Sequence, residues 1–379
     1  MRRRWLPLVV SLACVSVSGV AHAETLFTAL PDSGLRRSAA LPRVRGLALL
    51  GAELARLRSR ATAQVSDFPL GLDGTVDLDL ERFDPRGANA RAEVVEATGA
   101  RPLALPDDVY FRGQVRGVPD SRVLLVAAAD HVRAWVGANG TIYRLGLDAD
   151  RVHRSYAVRD IPPGSAPAPD DFCGQQGQLA LSPGGGAGPR AAGPAPAVPP
   201  LAAFSPLLIA QVALDTDEEL RAKFSSDADA LAYVTDLVAA ASTIYQTDVD
   251  IELVASYIRL WNTTDPWSAS STSGSLDEVK DYWSNGANGM NAIAGPRDLV
   301  HFVSGKPVHG GVAYLDVLCN PSYGYAVSQV YGSFDVMNPS STWDLVVFSH
   351  ETGHIFGSPH THCYTPPLDH CYNQEEGCY

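Results

Sequence analysis

Residues 181 to 200 read LSPGGGAGPRAAGPAPAVPP, and no packed element can be built from them. Proline supplies no backbone donor, glycine is costly to order, and the stretch has no apolar periodicity. It reads as an exposed linker. It therefore limits what the 379-residue chain can form, because it leaves two parts of similar length on either side, each large enough to fold as a domain. No internal repeat joins them.

The N-terminus has the pattern of an export signal: Arg2, Arg3 and Arg4, an apolar run from Trp5 to Val20, then Ala-His-Ala before Glu24. The run is interrupted by serines and is short for a bilayer span, which needs ~20 apolar residues. Cleavage after Ala23 and a secreted product without a membrane anchor are expected. Loss of residues 1–23 removes three arginines and no acid, taking the formal charge from −13 to −16. Such acidity disfavours nucleic acid as a partner. Cys14 leaves with the signal; Cys173, Cys319, Cys363, Cys371 and Cys378 remain. That number is odd in a compartment where disulfides form, so one is free or pairs outside this chain.

The part before the linker shows β signals and no catalytic constellation. VYFRGQVRG and SRVLLVAAA read as strands, and RAWVGANGTIYRL as a hairpin turning at Asn139-Gly140. A structural or inhibitory role suits it. The part after the linker alternates strand and helix. PLLIAQVALD is a strand, followed by an amphipathic helix from Asp227 to Tyr245 carrying Leu231, Val234, Val238, Ala241 and Tyr245 on one face. VDIELVA alternates as a half-buried strand, and DLVHFVSG and GGVAYLDV are further strand candidates. SSTWDLVVFSHETGHIFG then reads as a helix with Ser341 as N-cap and Gly357 as its stop.

On that last helix His350 and His354 lie one turn apart, so both imidazoles project from one face and can grip one metal ion. Gly357 can take the left-handed conformation that ends a helix, which lets the chain bring His360 back as a third ligand. Three neutral nitrogens with a fourth position open to water are the arrangement of catalytic zinc. Glu351 points beside the ligands, where it can take a proton from the attacking water and pass it to a leaving amine. His362 and His370 lie nearby, but three ligands are already supplied.

The string from His350 to His360, HETGHIFGSPH, matches the HExxHxxGxxH signature of metzincin metallopeptidases. Upstream, GGVAYLDVLCNPSYGYAVS resembles the edge-strand region of the reprolysin (adamalysin-like) branch. The resemblance covers roughly residues 205 to 365. It implies an α/β catalytic domain with a twisted mixed sheet and an active-site helix, one catalytic zinc, and endopeptidase activity on protein or peptide. It also implies substrate bound as an added strand along Gly311, Val312, Ala313, Tyr314 and Leu315. Two features depart from the pattern. Thr361 stands where adamalysins carry Asp, and Met1, Met290 and Met337 all precede His350, whereas metzincins place a methionine turn after the third ligand. A chain truncated at its C-terminus is the expectation that follows.

Metzincins are commonly made with a prodomain whose free cysteine occupies the open zinc position, and Cys173-Gly174 resembles the core of such a switch. The division implied is a signal peptide at 1–23, a small β-rich prodomain at 24–172, the switch segment and linker at 173–200, and a catalytic domain at 201–379. The alternative for Cys173 is a disulfide. Two other functions stay open beside the endopeptidase: a non-catalytic adhesion module on the same scaffold, and a zinc hydrolase of another amide or ester. The sequence names no calcium site, side-chain preference at the cleavage site, physiological substrate, disulfide pairing or oligomeric state.

Overall fold

The computed structural model describes residues 23–31, 41, 43–162, 208–338 and 341–368. The export signal, Cys173, the linker, Cys371, Cys378 and His370 lie outside them.

Before the linker, the described residues form eleven strands and one α-helix. They are β1 (Phe27–Ala29), β2 (Arg45–Leu49), α1 (Gly51–Arg58), β3 (Thr62–Pro69), β4 (Thr75–Phe83), β5 (Arg86–Glu96), β6 (Gly99–Leu103), β7 (Val109–Val115), β8 (Arg122–Ala127), β9 (Val132–Ala138), β10 (Thr141–Leu147) and β11 (His153–Ala157). Nine of these strands form one antiparallel sheet in the order β1-β2-β11-β10-β9-β8-β7-β4-β3. A parallel bridge from Glu24 to Val65 joins its two ends, making it barrel-like. Leu54 and Leu57 of α1 pack with Phe68, Leu78, Phe111 and Leu125 inside. The hairpin turns where the sequence placed it, with Asn139 and Gly140 both at positive φ, as a two-residue type I′ turn requires.

After the linker come β12 (Leu208–Thr216), α2 (Glu218–Arg221), α3 (Asp227–Val249), β13 (Ile251–Trp261), α4 (Thr272–Ser284), α5 (Met290–Ala294), β14 (Leu299–Ser304), β15 (Gly311–Ala313), β16 (Tyr325–Gln329) and α6 (Ser341–Ile355). Their sheet runs β15-β16-β14-β12-β13 and then continues into β5 and β6. All its pairings from β16 to β5 are parallel, and the two end pairings, β15 with β16 and β5 with β6, are antiparallel. The hairpin β5–β6, although it precedes the linker, therefore completes the sheet that follows it. Ala255 to Trp261 of β13 pair with Arg86 to Val95 of β5, and Ala92 and Val94 enter the same hydrophobic core.

This crossing explains two differences from the sequence pattern. VDIELVA alternates, yet Val249 ends α3, Asp250 caps it at positive φ, and β13 is buried continuously from Leu253 onward. Pairing with β12 and β5 leaves it no free edge, and α3 packs on it in the shared core. Likewise α3 shows its expected apolar stripe, but its opposite face is also covered. Ala239 and Ala240 lie against Phe83, Tyr110, Leu124 and Val126 of the barrel. Small side chains on that face let the barrel come close.

Candidate metal centre

Helix α6 begins at Ser341, the residue the sequence suggested as its cap, within ordinary boundary variation. It carries His350, Glu351 and His354 and is held at both ends. Near its start, Asp344 accepts hydrogen bonds from Tyr233 Oη (2.5 Å) and from the backbone N–H groups of Tyr331 and Gly332 (2.8 and 3.2 Å). Burial pushes Asp344 up to about 6 against the pull of those donors. At its C-terminus the carbonyls of His354 and Ile355 accept from Asp316, Val317 and Leu318, the loop that follows β15. The helix end and the sheet edge are thereby fixed to each other.

Gly357 has φ +91°, and the N–H groups of Gly357 and Ser358 return to the carbonyls of His354 and Gly353. This is the glycine reversal read from the sequence, and it folds His360 back over the helix face. The ring centroids of His350, His354 and His360 lie 4.5, 4.9 and 5.3 Å apart, and one nitrogen of each falls within 4.8 Å of the others. His354 Nδ1 lies 2.7 Å from the Ser358 carbonyl oxygen, which makes Nδ1 the donor and leaves Nε2 a lone pair. That lone pair faces His350 Nε2 at 3.0 Å. Burial drives His350 well below the usual imidazole range, with His354 and His360 adding to it, and brings His354 to about 4. Neutral imidazoles converging their nitrogens on one point form a donor set suited to a divalent cation.

Glu351 is fully buried, and its side chain lies against the sheet edge. Its carboxylate lies against Gly311, the first residue of β15. A Cβ built on Gly311 would sit 2.4 Å from Glu351 Oε1 and 2.6 Å from Cγ. The space that Glu351 occupies exists because residue 311 is glycine. β15 covers Gly311 to Ala313 and ends the sheet; Tyr314 continues the contact through its N–H to Tyr325. Tyr314 and Leu315 lie beyond the regular strand.

A further support was not read from the sequence. His301 of β14 stacks on Phe348 of α6 with centroids 4.1 Å apart. Its Nδ1 lies 3.2 Å from Thr352 Oγ1, whose hydroxyl donates to Phe348 O, so His301 donates there. Its Nε2 then accepts from Ser328 Oγ at 2.8 Å. Burial holds this imidazole neutral, at about 3, and it pins the centre of α6 to the sheet. Within DLVHFVSG the histidine stands between apolar residues of one strand, and nothing local shows what lies above it.

His362 stacks beside His360, with centroids 5.5 Å apart, and groups with it and Cys363. Cys363 is disulfide-bonded, so its sulfur is no thiolate ligand. Cys319 is a free, exposed thiol beside Asp298. Met290 is a core residue against Arg259, and Met337 packs near Leu41, Tyr156 and Val336.

Residues 209–379 match the family Reprolysin_5, Metallo-peptidase family M12. The match marks this part of the chain as similar to metzincin-like metallopeptidases. Metallopeptidases of that family use zinc and act on protein or peptide, and His350, His354 and His360 are residues of this chain that could hold such an ion. Among solved structures, the chain is similar to the crystal structure of metalloproteinase-II from Bacteroides fragilis. The identity there is 11%, over 82% of this chain and 84% of that one, with a TM-score of 0.43. It is also similar to a structure of a chaperone-substrate complex, at 14% identity over 40% and 23% of the two chains, with a TM-score of 0.30. Both likenesses are weak. No curated protein matches. No helix among the described residues is long and apolar enough to cross a membrane.

Proposed function

We propose that the chain is a secreted zinc endopeptidase made as a zymogen, with His350, His354 and His360 as zinc ligands and Glu351 as general base. The observation that carries this reading is the convergence of three neutral imidazoles beside a buried carboxylate at the end of a sheet. Zinc, when bound, supplies a Lewis acid for the scissile carbonyl and for the attacking water. The chain's own residues do the rest. The outer edge of β15 offers backbone groups to an extended peptide, which would add as a strand next to Gly311–Ala313. Glu351 holds the proton taken from water at a carboxylate oxygen and delivers it to the departing amine. Its position is set from two sides, by α6 behind it and by the bare face of Gly311 in front.

Secretion rests on the Arg-rich, apolar and Ala-His-Ala pattern of residues 1–23. Latency rests on Cys173 as a thiolate ligand at the fourth zinc position. The test of the chemistry is Glu351→Gln. The variant should keep its zinc and its fold and lose peptide hydrolysis, because an amide cannot accept the proton. Hydrolysis of a peptide library at near the parent rate would remove Glu351 from the role.

A further inference from the structure

A prodomain that only plugs a site can leave without disturbing what it plugged. The contacts of residues 24–162 are of another kind. Parallel pairing of β5 supplies the hydrogen bonds along one side of β13 from Ala255 to Trp261, and two backbone bonds flank it, Ala255 N–H to Pro85 O (2.7 Å) and Asn262 N–H to Val95 O (2.9 Å). Without β5, β13 would become an open edge strand of largely apolar residues, which invites aggregation.

The charges point the same way. Asp236 of α3 is 4% exposed, and its ion-pair partner Arg133 is on β9 of the barrel, at 2.6 Å. Arg133 also reaches Asp108, and Tyr110 Oη donates to Asp236 at 3.1 Å. Separation would leave a carboxylate on α3 without its cation, on a face built of alanines. Glu93 of β5 likewise pairs with Arg259 of β13 at 2.7 Å. Arg112 and Arg122 of the barrel pair with Glu252 and Asp248. Among the described residues the barrel also meets Leu345 near the start of α6, and Phe334, Val336 and Met337. None of these is a proposed zinc ligand.

We propose that residues 24–162 are a permanent subunit of the peptidase, and that cleavage in the linker leaves a noncovalent two-chain complex rather than a free catalytic domain. The inference rests on the zymogen reading only for the cleavage event. Latency then belongs to the segment around Cys173, while the barrel and its β5–β6 hairpin stay as part of the working sheet.

The test uses the full chain with a recognition site for an unrelated sequence-specific protease inserted within residues 185–195. After complete cutting, the two fragments should co-elute in size exclusion at the parent volume, with both masses present. At the loading concentration they should separate only in denaturant, in the same transition that abolishes the far-UV dichroism. In the Arg133→Met background the cut complex should dissociate at roughly 100-fold higher concentration. Arg151→Met, which removes an exposed pair within the barrel, should leave dissociation unchanged. If Arg133→Met does not fold, the cut parent decides alone. Elution of the N-terminal fragment by itself, with the C-terminal fragment folded and monomeric, would overturn the proposal. Co-elution is read by mass, so it stands or falls independently of whether the complex hydrolyses peptides.

Discussion

Replacement of Gly311 by alanine adds one methyl group, and the structure states where that group goes. It would lie 2.4 Å from Oε1 of Glu351, 2.6 Å from Cγ and 2.7 Å from Cδ. Relieving this to an ordinary contact of 3.4 Å moves the carboxylate by about 1 Å. Gly311 has little freedom to retreat instead, because its strand is paired with Ser328 of β16 and is itself buried. A misplacement of ~1 Å at a reacting group costs on the order of 10²-fold in rate, or roughly 2.7 kcal/mol of barrier. Gly311→Ala should therefore lower kcat about 100-fold. Zinc content should not change, since the ligands His350, His354 and His360 are not the atoms displaced. The assay is steady-state hydrolysis of a quenched fluorescent peptide by linker-cut protein, with zinc measured on the same sample. A KM close to that of the parent would show that the edge strand still receives peptide. An unchanged kcat in a variant with full zinc would refute the reasoning, because it would mean the Glu351 carboxylate works from a position that Gly311 does not control.

Four other outcomes can be measured on the same protein. His350→Ala should lose its zinc stoichiometry, read by elemental analysis, and retention of full zinc would mean the ligand set is wrong. Cys173→Ala should be active without processing, while the same change at Cys371 should not relieve latency; equal latency of parent and Cys173→Ala would end the switch. Arg133→Met should lose about 3–5 kcal/mol in urea unfolding, the cost of leaving a buried carboxylate without its cation, and a loss below about 1 kcal/mol, the scale of an exposed pair, would place Asp236 in a wetter setting than the structure shows. The fourth concerns pH. Buried His153 accepts a hydrogen bond from the Val132 N–H, and burial lowers it to about 4. Below pH ~6.5 the unfolded chain takes up a proton at this residue that the folded chain refuses, so acid favours unfolding. Its contribution is fully present above pH ~6.5 and is lost as pH falls towards 4, by roughly 3 kcal/mol over that window. The stability difference between the parent and His153→Gln should shrink by that amount from pH 7 to pH 4, and a constant difference would contradict the assignment.

The histidine cluster was legible because its information is local. Two histidines one turn apart, a glycine and a third histidine need only one helix and one reversal, and both are present at Ser341–Ile355 and Gly357. The strands VYFRGQVRG and SRVLLVAAA and the Asn139-Gly140 hairpin were legible for the same reason. What the sequence hid is non-local. RGANARAEVVE offers two arginines, two glutamates and a glycine, and nothing in it names β13 as its neighbour across the linker. Asp236 sits on the helix face that lacks large apolar residues and reads as solvated, until Arg133 from a distant strand covers it. The linker tract is real as a composition, but a break in composition marks where a chain can be open, and strand pairing can still cross it. Gly311 carried its meaning only once Glu351 was seen beside it.

The most direct measurement is X-ray absorption at the zinc edge on the purified full-length protein and on Glu351→Gln. Both should hold one zinc with three imidazole nitrogens at about 2.0–2.1 Å, and in the latent full-length protein a single sulfur at ~2.3 Å should complete the shell and vanish in Cys173→Ala. A zinc shell with fewer than three nitrogens, or one unaltered in His350→Ala, would contradict the account.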